Sequence, residues 1–184
     1  MNQTLRNIAE RYSCRDFSGS PPTDEQISNL VDAALAAPSA RNLQPWHIVV
    51  IKDKAIIEEL DDAGMKILAA DEDKTAYDLF MERGGKLFYN VPCMFVILHD
   101  GSSWGMLDSG ILGQNIVLAA ESLGLGTCYL GMASVPLRGP RKDEFAQRLK
   151  FPEGYEFAVG IAIGAVKSGK APHEPDSSKV TYIG

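Results

Sequence analysis

The sequence predicts a single α+β domain, and three observations predict it. Helical and strand-type segments succeed one another irregularly, without the strict strand–helix alternation of a doubly wound sheet. The strand-type runs are short, apolar and rich in β-branched residues, so they read as interior strands. The 184 residues, 45% hydrophobic and 23% charged, suffice for one core, and neither a repeat nor a linker divides them.

The elements follow in chain order. Leu5, Ile8, Ala9 and Tyr12 recur at helical spacing and predict a short first helix running into Arg11–Phe17. A second helix starts at Thr23, which with Gln26 forms a capping-box pattern; Ile27, Leu30, Val31, Ala34 and Leu35 give it one apolar stripe, and Pro38 stops it. Trp46–Ile51 reads as a buried strand and Ala55 to Leu68 as a helix. Residues 60–88 are expected to include a mobile helical excursion or lid, because charge rises from Asp71 to Lys86 and Gly84-Gly85 ends it like a hinge. Pro92–Leu98 is the second strand, with Pro92 tolerable only at its first position.

Asp108 is placed as the cap of a long helix through Leu123, with Gly110, Gly113, Ala119 and Ala120 as its smooth face. Gly124 and Gly126 are expected to end that helix before a short strand, Thr127–Leu130. A helix at 140–149 and a long strand at 156–166 follow. The tail from Lys167 is read as loop, with a last short strand at Val180–Ile183.

The formal net charge of −6 argues against a nucleic-acid or anionic-membrane partner, since both require a clustered positive field. An anion site must therefore be local. Three scattered cysteines suit a reducing compartment and no disulfide framework; the polar N-terminus and the absence of a long apolar run point to the cytoplasm. His47, His99 and His173 are isolated, and no CxxC, HExxH or Gly-x-Ser-x-Gly pattern occurs. No side chain is assigned a catalytic role, and the chemistry is expected to come from a cofactor. Gly124–Gly131 is not a dinucleotide fingerprint, because it follows a helix and precedes a strand.

Two segments carry binding chemistry. In Arg11-Tyr12-Ser13-Cys14-Arg15, two guanidiniums and a hydroxyl stand at a helix end, a set that matches phosphate oxygens and equally reads as a solvated basic turn. In Pro38-Ser39-Ala40-Arg41-Asn42-Leu43-Gln44-Pro45, amides crowd a loop before a strand. They could read the edge of a planar heterocycle or bond their own backbone. Cys14, between the two arginines, is either a low-pKa thiol or a small space-filling residue, and His47 reads as a hydrogen-bonded core histidine.

Together, Arg-x-Ser-x-Arg-x-Phe and Pro-Ser-Ala-x-Asn-x-Gln-Pro-Trp resemble the opening of the FMN-dependent nitroreductase family. Asp108-Ser109-Gly110, Gln114-Asn115 and the run from Leu118 to Gly126 extend the likeness. The resemblance implies a mixed, mainly antiparallel sheet flanked by helices and an intertwined homodimer with two FMN sites at its interface. It implies that Arg11, Tyr12, Ser13 and Arg15 hold the phosphate and ribityl end. Ser39, Ala40 and Asn42, from the partner chain, with Pro38 and Gln44, would line the ring, with Tyr129, Leu130 and Gly131 against it. The tail departs from the pattern, reading His173-Glu174-Pro175-Asp176 where an Arg is expected, so the last phosphate cation passes to Lys167 or Lys170. The implied activity is ping-pong transfer of hydride from NADPH or NADH through FMN to an electron-poor small molecule such as a nitroaromatic, a quinone or a flavin. The alternatives are a specialised reductive dehalogenase or flavin-cleaving enzyme of the same fold, or a non-catalytic FMN-storage protein.

Overall fold

The structure, a computed structural model, describes residues 1–184. Its centre is strand β2 (Cys93–His99), every residue of which is buried. Alternate side chains point to opposite faces of a strand, so this one run serves two cores. Cys93, Phe95 and Ile97 pack with Leu30 and Ala34 of α2 (Asp24–Leu35) and with Leu112, Ile116, Val117 and Ala120 of α5 (Gly105–Ser122). Met94, Val96 and Leu98 pack with Ile57, Leu60 and Leu68 of α3 (Lys54–Ala70), beside Leu137 of α6 (Ser134–Leu137) and Phe145 of α7 (Lys142–Arg148). The result is three layers, with helices on both faces of one sheet. Each such large apolar side chain contributes about 1.5–3 kcal/mol by leaving water.

The sheet order is β1-β2-β4-β3, with β1 at Trp46–Ile51, β3 at Leu125–Leu130 and β4 at Glu156–Ala165. All three pairings are antiparallel. A parallel bridge from Ser13 to Thr127 adds the segment after α1 (Gln3–Glu10) to the β3 edge. The α+β class and the mainly antiparallel sheet are as expected. The capping box of α2 is also present, with Thr23 N–H donating to Gln26 Oε1 at 2.9 Å and Gln26 N–H to Thr23 Oγ1 at 3.1 Å.

Several boundaries differ from expectation for identifiable reasons. α5 begins at Gly105, and Asp108 lies buried in its first turn instead of capping it. Its carboxylate accepts the Ala40 N–H at 3.2 Å, a partner 68 residues away. Gly124, at φ 71°, ends α5, whereas Gly126 is inside β3, where an added Cβ would lie 2.8 Å from Cys14 Sγ. Gly113 turns inward: its Cβ would meet the Tyr129 hydroxyl at 2.9 Å and Ile161 at 3.4 Å, so this part of the smooth face packs within the chain. Gly110, with no neighbour within 4 Å of its Cβ position, faces outward.

β1 is an edge strand and only half-buried, and His47 on it is exposed, its ring edge-on to Tyr155, so it is no core histidine. Val180–Ile183 forms no strand; it has no neighbouring strand to pair with, and the tail holds only a 3-10 turn at Ser177–Lys179. Within 60–88, Leu60, Phe80, Leu87 and Phe88 are core residues; 71–84 is mostly exposed, and its helix α4 (Thr75–Glu82) packs on the core through Phe80. No helix is long and apolar enough to cross a membrane.

Candidate functional site

The segment after α1 leaves the helix at Arg11 and runs beside β3, held by Cys14 N–H to Thr127 C=O at 2.8 Å. The start of the tail returns over it. Lys167 N–H donates to Asp16 C=O at 3.0 Å, Ser168 Oγ donates to Asp16 Oδ2 at 2.6 Å, and Lys167 Nζ lies 3.6 Å from Asp16 Oδ1. Between the two stretches lies a cleft of about 240 Å³, walled by Tyr12, Ser13, Arg15, Asp16, Ser168, Gly169 and Lys170.

Its chemistry suits an anion. Arg15 and Lys170 face the cleft, and the one carboxylate in the wall, Asp16, is already satisfied by Ser168 and Lys167. Burial lowers the basicity of the Arg15 guanidinium, and the neighbouring Tyr89 hydroxyl more than restores it, so the group stays charged. The Cys14 thiol is 1% exposed and burial raises its pKa, the opposite of an activated thiolate. Cys14 is a packing residue here.

Of the expected phosphate-end residues, the cleft gathers Tyr12, Ser13, Arg15 and Lys170. Arg11 is left out of the wall; its charge acts on Glu121 and Tyr129. Lys167 is beside the cleft, engaged with Asp16. Asp16, Ser168 and Gly169 escaped sequence reasoning, since only the fold shows that the tail doubles back.

The second segment is at another place. Ser39 Oγ accepts the Gln44 N–H at 2.9 Å, and Asn42 Oδ1 accepts from Gln44 Nε2 at 3.2 Å, so these residues do bond one another. Arg41, Asn42 and Gln44 all lie at positive φ (54°, 54° and 48°), a conformation that side chains disfavour and that concentrates at functional sites. The loop is exposed, and Ala40, Arg41, Leu43 and Pro45 wall a second cleft of about 260 Å³ with Ser102, Ser103, Trp104 and Asp108. Pro38 stands at the entry to this loop, exposed.

At the end of β3, Tyr129 packs its ring on Gly113, and burial pushes its pKa up to about 12. The Leu130 side chain belongs to the core, leaving only its backbone available, and Gly131 opens onto free space.

The register measures how far apart the two segments are. β1 and β3 are the two sheet edges, three strand spacings or about 14 Å apart. Trp46 aligns with His99, and Thr127 aligns through Ile163 with Cys93, six residues or about 20 Å along β2. The cationic cleft and the amide loop thus occupy diagonally opposite corners of one sheet.

Fold and site together define a three-layer α+β protein with a cation-lined cleft at one sheet corner and a strained amide loop at the other. The chain belongs to the nitroreductase family, whose model matches residues 8–165. It is similar to the NADPH-flavin oxidoreductase of Vibrio harveyi, 34% identical over 166 residues, covering 89% of this chain and 66% of that protein. An FMN reductase (NADPH) of Bacillus subtilis is 28% identical over 195 residues, covering 95% and 71%. A nitroreductase from Desulfitobacterium hafniense DCB-2, solved with bound FMN, superposes with a TM-score of 0.96 at 44% identity over the full length of both chains.

Proposed function

We propose that this chain is an FMN-dependent oxidoreductase that takes electrons from NADPH or NADH and passes them to an electron-poor small molecule, working as a homodimer with two sites. The observation that carries the reading is the diagonal separation of the two half-sites in one chain. A two-fold partner brings the cationic corner of one copy to the amide corner of the other. The chain also exposes apolar surface that a partner would cover: Leu5 and Ile8 on α1, Trp104, Met106 and Leu107 at the start of α5, and Val180, Tyr182 and Ile183 in the tail. α1 buries no residue of its own within one chain.

The residues fit FMN at both ends. Arg15, Ser13, Tyr12 and Lys170 supply the cations and hydroxyls for a phosphate and its ribityl chain, Lys167 and Arg11 adding positive field at the rim. From the partner, Ser39, Ala40 and Asn42, with Gln44, present amide and backbone groups to the ring edge, and Gly131 leaves room for a ring against the end of β3. When bound, FMN supplies the two-electron chemistry that links a reduced nicotinamide to the acceptor. The chain orients the ring, tunes it by hydrogen bonds and limits what reaches its open face. One face used in turn by donor and acceptor gives ping-pong kinetics, with nitroaromatics, quinones and free flavins as acceptors. The mostly exposed stretch 71–84 serves as the lid, and three free cysteines suit the cytoplasm.

The test is a spectrum of the purified protein, chromatography of the flavin released by heat, and sedimentation of the same sample. FMN at one per chain in a dimer that bleaches anaerobically with NADPH is expected. Recovery of FAD, or a folded protein that takes up no flavin, overturns the reading.

A further inference from the structure

Asp61 on α3 is 3% exposed, yet no cation pairs with it; the nearby Lys86 is paired with Asp62 instead. Its two oxygens are spent on backbone, accepting the Leu87 N–H at 3.2 Å and the Phe88 N–H at 2.8 Å. Burial pushes its pKa up, against the pull of those two donors. A buried carboxylate used only to hold two consecutive amides marks a backbone that must be kept in one shape.

The next two residues show what that shape is. Tyr89 and Asn90 lie at φ 56° and 54°, consecutive non-glycine residues in the left-handed region, a strain that persists only where the surroundings impose it. The turn closes with Val91 N–H to Phe88 C=O at 3.0 Å. As a result the Tyr89 ring stands between Phe80 of α4, 6.4 Å away between centroids, and the Arg15 guanidinium, 5.8 Å from the ring centre. Arg15 is the cation that walls the cleft from the β3 side.

We infer that Tyr89 is a positioning residue for the phosphate clamp: locked in a left-handed turn by Asp61, it holds the Arg15 guanidinium aimed into the cleft and so sets the preference for a phosphorylated flavin. The physical reason is entropic as well as electrostatic. A free arginine must give up rotamer freedom when it meets a phosphate, and one already stacked on a fixed ring has less to lose. This inference rests on the assignment of the cleft to the FMN phosphate.

Riboflavin, which lacks the phosphate, separates positioning from packing. Dissociation constants for FMN and riboflavin are measured by flavin fluorescence on the apo form of the full chain, with thermal unfolding recorded alongside. The wild type binds FMN more tightly. Tyr89→Leu raises the FMN constant by about tenfold, the scale of one partly desolvated cation–π contact, and leaves riboflavin unchanged. Tyr89→Phe, which keeps the ring and removes the hydroxyl beside Arg15, recovers only the share of the preference that the ring carries, and Asp61→Asn loses it selectively. Added to Arg15→Ala, Tyr89→Leu has no further effect, because its route to the phosphate is gone. Equal weakening of both flavins would show that Tyr89 only packs, and an unchanged FMN constant that it does nothing for the clamp; either overturns the inference while leaving the cofactor reading intact. A wild type with no preference for FMN over riboflavin overturns the cleft assignment and the inference with it.

Discussion

Gly126→Ala should damage both fold and site, against the ordinary expectation for a strand. Replacing a strand glycine by alanine normally gains about 0.5–1 kcal/mol through lost freedom of the unfolded chain. Here the new methyl would sit 2.8 Å from Cys14 Sγ, 2.8 Å from Val166 Cγ2 and 2.9 Å from Cys14 Cβ. Cys14 cannot swing away freely, since its N–H is bonded to Thr127 and the next residues to the tail. Overpacking of this kind costs about 1–3 kcal/mol and outweighs that gain, so the net loss reaches about 2.5 kcal/mol. In a chain of this size that lowers the melting temperature by up to about 10 °C. The assay is thermal unfolding of apo protein at one fixed concentration, because ligand and association both shift the midpoint. Gly131→Ala, whose methyl meets nothing within 4 Å, serves as the control for apo stability alone, since Gly131 faces the ring site. The same displacement moves Ser13 and Arg15 off the β3 edge, so FMN affinity should fall with stability. A Gly126→Ala protein as stable as the wild type, with unchanged affinity, would refute the argument.

Arg15→Ala should weaken FMN binding by about 1.5–3 kcal/mol, the cost of leaving a phosphate charge without its hydrogen-bonded partner, with the fold intact; a fluorescence titration reads it. Gly113→Leu should lower thermal stability by driving a side chain into Tyr129 and Ile161, whereas Gly110→Leu should leave the fold intact and shift sedimentation toward monomer. The opposite pattern would place the seam on the inner face. All three thiols should resist a disulfide reagent at mildly alkaline pH until the protein unfolds, since burial raises the pKa of each, that of Cys93 to about 12. Rapid labelling of Cys14 in the native protein would contradict its packing role.

What could be read before the fold was known, and what could not, divides along the range of the interactions. β2 was legible because six consecutive apolar residues, Cys93–Leu98, fit only where both faces are covered, and α2 because its capping box is closed between residues three apart. Asp108 misled because its partner is the Ala40 amide on another element, so local capping rules placed it wrongly. Val180–Ile183 has strand composition and no strand, since a strand requires a neighbour that composition does not name. In the candidate site, Arg15 and Ser13 announced themselves by residue type, while the missing tail arginine pointed equally to Lys167 and Lys170, of which only the fold puts Lys170 in the cleft wall. Asp61 and Tyr89 gave no sign, because their importance lies in a left-handed turn and a buried carboxylate, both visible only in three dimensions.

The diagonal placement of the two half-sites has a genetic corollary. If each site borrows one corner from each chain, a protomer damaged at Arg15 and a protomer damaged at Asn42 spoil both sites in their own homodimers. Mixed, they assemble a heterodimer in which both lesions fall in one site and the other is wholly native. Two alleles, each inactive alone, would then complement to half the normal number of working sites per heterodimer, whereas two alleles both damaged within 12–16 would never do so.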